Sequence, residues 1–241
     1  LYEFDYSDFT AHKALAKDDE PTKIDDTTYE VALRDGAKFS DGTPVTSEDV
    51  VTSYKRIVDG EKDSSGTDVT SPYAAFITFI DSIEAKDDTT VTIKLNQPME
   101  FLKTRLADIK VVPKDSTFDD MTSKPVGSGP YKYDSITDTT VDMSVNENYN
   151  GPNPATVEKI HYDCNRDSNA RQTAALDGTT DVVEAVDPSG ISDLEAAGWK
   201  VEGATGYGIG MIVFNTTKAP FNSNKTRQGV LTAIDKKTLI D

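Results

Sequence analysis

The chain has 241 residues, 36% of them hydrophobic, with 42 acidic against 25 basic residues and a formal net charge of −17. That balance excludes nucleic acid as an expected partner, because phosphate binding draws on clustered Lys and Arg, and it disfavours anionic membrane surfaces for the same reason. There is no apolar run long enough to predict a transmembrane helix, and the single cysteine, Cys164, excludes an intrachain disulfide framework or a cysteine-based zinc cluster.

Residues 1–28 are polar and acidic, with Leu15 and Ala16 as the main apolar punctuation. Tyr29, Val31 and Leu33 then alternate with Glu30, Ala32 and Arg34, which predicts a strand with one buried face. Asp35-Gly36 and Asp41-Gly42 are turn dipeptides that tolerate positive φ. Thr46 stands three residues before Asp49, close to a capping box, and Glu48 and Asp49 face the positive end of the helix that follows. Val50, Val51, Tyr54, Ile57 and Val58 make one apolar stripe along that helix. Residues 59–70 read as a solvated polar loop. Asp59, Glu61, Asp63 and Asp68 lie there, but a calcium loop wants Gly at its sixth position and Glu at its twelfth.

Ser71-Pro72 starts a helix, with Ser as N-cap and Pro at the first position, and Phe76, Phe79 and Ile80 are expected to bury its face. On helical geometry alone Tyr73 is a packing aromatic. Residues 83–86 and 91–95 alternate around Asp87-Asp88 and predict a hairpin. Phe101, Leu102, Arg105 and Leu106 mark a short helix. In VGSGPY, residues 126–131, Gly127 and Gly129 are expected to adopt backbone conformations closed to other residues, and Pro130 to fix the start of a strand. A phosphate-cradling loop is excluded there, since no Lys-Ser/Thr follows and the next segment reads as a strand. Residues 131–136 and 140–146 form a hairpin about Thr137-Asp138.

A strand over 157–164 follows and places Cys164 as a buried small hydrophobe. Residues 169–176 are helical and closed by Gly178. Trp199 follows a helix ending at Gly198 and is read as core packing. Residues 206–215 read as a glycine-rich strand, and residues 224–240 as a loosely held helix.

Catalysis finds little support. His12 and His161 are the two histidines, and neither has a nucleophile motif nearby. G-x-S-x-G, H-E-x-x-H and CxxC are all missing; the many carboxylates leave a glycosidase-like acid pair open, but scattered over turns as they are, such a coincidence carries little weight. No catalytic residue, metal ligand or cofactor is therefore assigned.

The stretches LRDGAKFSDGTPVTSEDVVTSYKR (33–56), VGSGPY (126–131), NENYNGPNPATVEK (146–159) and FNTTKAPFNSNKTRQGVLTAIDKKTLID (214–241) occur in this order. Together they resemble the extracytoplasmic solute-binding proteins of the oligopeptide/dipeptide type (family 5), the receptors that feed ABC importers. Asn150 stands where that family often has Trp. The resemblance implies an α/β, class II periplasmic-binding-protein-like fold of two lobes, with mixed sheets flanked by helices. It also implies that the chain starts inside the family's sequence and stops before most of the second lobe. Residues 1–125 would be the smaller subdomain of the first lobe, 126–207 its body, and 208–241 the start of the second lobe.

By the same resemblance ALDGTTDVV is a turn, Asp181 included, into a strand aimed at the ligand cleft; Tyr73 lies at that cleft, Glu184, Ala185 and Val186 line its groove, and Tyr207 and Gly208 belong to the crossing strand beside it. Glu184 reads either as a partner for a ligand amine or hydroxyl or as an exposed strand-end carboxylate. The implied function is passive capture of extracellular peptides between the lobes and delivery to a membrane permease. The chain would be a monomer, extracytoplasmic, and either lipid-anchored or periplasmic. The alternatives are an oligosaccharide or other polar-solute receptor of the same fold, or a surface adhesion or scaffolding protein.

Overall fold

The structure is a computed structural model that describes residues 1–5, 10–203, 211–235 and 238. It divides into two units, Leu1–Asp167 and Ser168–Asp241. Among the described residues, no helix is long and apolar enough to cross a membrane.

In the first unit the elements are β1 (Tyr2–Asp5), β2 (Thr10–Lys13), β3 (Thr22–Lys23), β4 (Thr28–Ala32), α1 (Ser47–Asp59), β5 (Glu61–Lys62) and β6 (Asp68–Val69). A short 3-10 turn, Pro72–Phe76, precedes β7 (Ile80–Asp87), β8 (Thr90–Leu95), α2 (Leu102–Leu106) and α3 (Phe118–Ser123). The unit closes with β9 (Tyr131–Ile136), β10 (Thr140–Val145) and β11 (Lys159–Asp163). One sheet has the order β3-β4-β8-β7 and a second the order β11-β10-β9, with β1-β2 and β5-β6 as separate pairs. The α/β character expected from the sequence is present. Mixed sheets were expected too, but every strand pairing among the described residues is antiparallel. The strands β4 and β7 do run parallel, and β8 lies between them.

The expected alternation places Val31 and Leu33 in the core with Val91, Ile93 and Leu95 of the neighbouring strand. Helix α1 covers this sheet with Val50, Val51 and Tyr54, and the Tyr54 hydroxyl donates to the Ile80 carbonyl at 3.1 Å. Its apolar stripe ends sooner than the spacing suggested: Ile57 is half-buried and Val58 is 48% exposed. The core-facing side stops about one turn short of Gly60, where the helix ends.

The polar side of α1 does as much as the apolar side. Asp49 is buried, and its Oδ2 accepts from the Thr46 amide and hydroxyl, each at 2.7 Å, which closes the expected cap. Its Oδ1 accepts from the Lys114 amide at 2.8 Å. One turn on, Ser53 Oγ accepts from the Val112 amide at 3.1 Å. Another turn on, Arg56 donates to the carbonyls of Pro113 at 3.3 Å, Lys114 at 2.9 Å and Ser116. Residues spaced by three or four share a helix face, so this row holds the strandless segment 112–116 by its backbone.

Gly36 and Gly42 have φ of 68° and 89°, as the turn dipeptides require. Gly127 and Gly129 do not; neither has positive φ, and a Cβ on either would meet open space. Their carbonyls carry the structural role instead. Gly127 O accepts from the Ser40 amide at 2.8 Å, and Gly129 O from the Asn146 side-chain amide at 2.7 Å. Two further asparagines dock onto the same turns. Asn148 Nδ2 donates to Ser40 O at 3.2 Å and Asn150 Nδ2 to Asp35 O at 2.9 Å. Asn150 Oδ1 in turn accepts from Arg34 Nε at 2.9 Å.

Three other expectations change. Residues 72–76 wind as one 3-10 turn too short to bury a face, so Phe76 is 51% exposed, while Phe79 and Ile80 are buried beyond the turn, Ile80 at the start of β7. Residues 59–70 are a small hairpin, β5-β6, whose connection is tied by Asp63 accepting from the amides of Ser65 and Thr67. Cys164 is exposed, because β11 is an edge strand with none of its side chains buried and the cysteine lies just past its end.

The second unit contains α4 (Ser168–Leu176), a 3-10 turn Pro188–Gly190, α5 (Ile191–Ala196) and α6 (Asn224–Ala233). Gly178, with φ 70°, ends α4 as expected, its amide donating to Ala175 O and that of Thr179 to Ala174 O. Ala175 and Leu194 are buried here. The strand expected after Asp181 does not form, and 211–215 is irregular, with Val213 82% exposed. The remainder of the expected 206–215 strand lies outside the described residues. Helix α6 ends at Ala233, and of the rest of the expected helix 236, 237, 239 and 240 lie outside the described residues.

Replacing Asp49 by Ala removes the cap of α1 and leaves the Lys114 amide without its carboxylate. The expected cost is about 2 kcal/mol, read as a lowered denaturation midpoint of the first unit with faster amide exchange in α1 and at Lys114. A second expectation concerns β10 and β11. His161 Nδ1 meets Asp142 Oδ1 at 2.6 Å and its Nε2 meets Asp163 Oδ1 at 3.5 Å, and these carboxylates, Asp142 first, raise its pKa above the usual value. A raised imidazole pKa stabilises the fold below its ordinary value of about 6.5 and stops doing so as pH climbs through the folded value. NMR titration should therefore place His161 above ~6.5, and Asp142→Asn should move it back towards that value.

Candidate functional site

Tyr73 stands on the 3-10 turn of the first unit. Ser71 Oγ accepts from the Tyr73 amide at 3.2 Å, and Pro72 fills the first position, so the sequence caps this turn locally. The Tyr73 side chain is 49% exposed. Residues three apart eclipse in a 3-10 turn, which places exposed Phe76 beside it, and the Arg105 guanidinium lies 5.8 Å from the Phe76 ring centroid. Phe101, one turn before Arg105, is exposed as well. The result is an aromatic surface with a cation at its edge, suited to contacts that do not depend on one ligand shape.

Glu184, Ala185 and Val186 belong to the second unit, with Glu184 and Ala185 exposed and Val186 half-buried. Alone among the described non-glycine residues, Ala185 has a positive φ, 54°. The left-handed region is costly for a residue with a Cβ, and it breaks the extended run the sequence suggested. The neighbouring helix holds the bend. From α4, Arg171 donates through Nε to Glu184 O at 3.2 Å and through Nη2 to Ala185 O at 2.8 Å. Just downstream Asp187 accepts from the Ser189 amide at 2.9 Å and starts the turn before α5. Hydrogen bonds from the Ser189 hydroxyl, at 2.6 Å, and from its amide hold the Asp187 carboxyl below its usual pKa.

A depression of about 420 Å3 lies within this unit, with 181–183 on one side and 197–200 on the other. Trp199, read from sequence as core packing, is half-buried and forms part of its wall. The larger groove of the first unit, about 640 Å3, is bounded by 20–29 and 98–103 and contains none of the candidate residues. Tyr207 and Gly208 lie outside the described residues. Among the described residues no group of three or more His, Cys, Asp and Glu side chains is placed to hold a metal ion. The structure thus brings Glu184, Ala185 and Val186 together on one braced bend and places Tyr73 in the other unit. Sequence reasoning missed Arg171, although an arginine on the helix immediately before a presumed groove segment was the available signal.

The bacterial extracellular solute-binding proteins, family 5 (middle part), match this chain over residues 10–241. Heme-binding protein A of Haemophilus influenzae is 29% identical, across all of this chain and 48% of that protein. Di/tripeptide-binding protein 1 of Pseudomonas aeruginosa is 25% identical, across 90% of this chain and 44% of its own length. Among solved structures, the solute-binding protein MoaA of A. tumefaciens R10 in complex with mannopinic acid superposes with a TM-score of 0.78 at 24% identity. That likeness covers 99% of this chain and 49% of the other and speaks to the fold, which is the class II periplasmic-binding-protein architecture. The chain spans about half the length of the curated relatives it matches. With the match running from residue 10 to residue 241, the chain belongs to the family 5 bacterial extracellular solute-binding proteins.

Proposed function

We propose that this chain contributes the ligand-contacting part of an extracytoplasmic receptor that captures short peptides and hands them to the permease of an ABC importer. The observation that carries this reading is the family match over 10–241, together with a relative named for di- and tripeptides across 90% of the chain. In this reading residues 1–125 form the smaller subdomain of the first lobe, 126–207 its body, and 208–241 begin the second lobe. Tyr73, Glu184, Ala185, Val186, Tyr207 and Gly208 contact the ligand. The protein is a monomer without catalytic machinery, lipid-anchored or free in the periplasm.

Its action is mechanical. A ligand enters between the lobes, the lobes close about their hinge, and the closed form docks on the permease. Hydrogen bonds to the peptide main chain give affinity that is independent of side-chain identity. Water in roomy pockets absorbs the differences between side chains. An exposed tyrosine supports this, offering a ring face and a hydroxyl to a varied ligand.

A heme reading has one observation in its favour, the 29% identity to a protein named for heme binding. Iron in heme is commonly held by His, Cys, Met or Tyr. The two histidines of this chain lie on β2 and β11, outside the proposed contacts, whereas Tyr73 and Tyr207, of a residue type that can hold the iron, are among them.

Native mass spectrometry of the full-length protein, purified gently from its own source, tests the proposal. A ladder of short-peptide masses is expected on the protein. A bound heme with its Soret band, or a single carbohydrate mass, would replace the peptide assignment. A protein that stays empty when peptide mixtures and sugars are added would overturn the receptor reading altogether.

A further inference from the structure

We propose that Arg171 is a positioning residue for ligand binding, which it serves by holding Ala185 in the left-handed conformation so that the bend 184–186 is built before the ligand arrives. The proposal rests on the reading of 184–186 as groove-lining and adds to it a residue outside the groove segment.

The geometry couples the two residues. In an extended strand, consecutive carbonyls point to opposite sides of the chain. Here the carbonyls of Glu184 and Ala185 are consecutive, yet both are reached by one guanidinium, at 3.2 Å and 2.8 Å. A turned conformation at Ala185 brings them to the same side, and that is the conformation found, with φ 54°. Arginine suits the task because its donors form a fixed planar fork that stays charged, whereas a lysine would offer a single mobile ammonium. Arg171 is half-buried on a helix, and α4 is closed by Gly178 and packed with α5. The fork is therefore carried on a framed element while the segment it grips is exposed. An alanine kept in a conformation that glycine adopts freely marks a place where the surroundings override the local preference.

A double-substitution cycle in the full-length protein tests this, with tri-alanine as the binding probe and amide exchange at Glu184, Ala185 and Val186 as a ligand-free readout. Arg171→Ala should speed exchange in the bend and weaken tri-alanine binding by about tenfold, the scale set by the left-handed preference that alanine then no longer meets. Ala185→Gly, a change at a proposed contact, is measured first as the reference background with its own tri-alanine affinity. In that background Arg171→Ala should cost little further affinity, because glycine adopts the left-handed conformation without help, and Arg171→Lys in the parent should fall between parent and Arg171→Ala. Equal losses with and without Ala185→Gly would make Arg171 a general stabiliser of α4 and overturn the proposal, as would an unchanged bend in Arg171→Ala. If the parent protein binds no tri-alanine, the peptide reading fails, and the exchange data still decide whether Arg171 sets the bend.

Discussion

The first unit depends on side-chain amides reaching backbone carbonyls across long stretches of sequence. Asn148 and Asn150 grip the turns at 35–40 from 108 to 116 residues away, and Asn146 holds the Gly129 carbonyl. These contacts join the β3-β4-β8-β7 sheet to the β11-β10-β9 sheet, which share no strand. Backbone carbonyls in tight turns have no ladder partner and need one from elsewhere. Asparagine supplies both a donor and an acceptor, and Asn150 uses both at once, on Asp35 and on Arg34. Three of the four stretches that carry the family resemblance are the parts of this one interface.

Helix α1 repeats the device. Its apolar side covers a sheet, while Asp49, Ser53 and Arg56 hold a segment with no regular structure. The buried Asp49 carboxylate has its oxygens satisfied by the Thr46 and Lys114 donors, the condition under which a buried charge is tolerated. At Ala185 the same logic meets a strained residue, with an arginine on a helix taking carbonyls that an extended strand would have placed apart. Along α1 and at the bend 184–186, irregular backbone is held by polar side chains carried on helices.

This explains which parts of the fold were legible in the sequence. The strand at 29–33, its two glycine turns, the cap at Thr46 and the hairpin of β7 and β8 follow from local pattern, and all of them form. Readings that depended on distant partners fared worse. Gly127 and Gly129 looked like conformational glycines, yet what they supply is carbonyls to Ser40 and Asn146. Cys164 alternates like a strand residue but lies past the end of an edge strand, where nothing covers it. Residues 181–186 carry strand-like composition, and the arginine that bends them is ten or more positions earlier on a helix. Of the candidate site, Tyr73 and Glu184–Val186 came from resemblance alone. No local pattern marks an exposed tyrosine on a 3-10 turn as different from a packing one.

The proposed function has ligand contacting Tyr73 on the turn 72–76 of the first unit and, as a separate contact, the braced bend 184–186 of the second. The most direct measurement is photo-cross-linking of the full-length protein with a short peptide bearing a benzophenone side chain, followed by mass-spectrometric mapping of the adducts. Adducts at both segments, suppressed by excess unlabelled peptide, are the result this account requires. Adducts that map elsewhere, or that unlabelled peptide does not suppress, would contradict it.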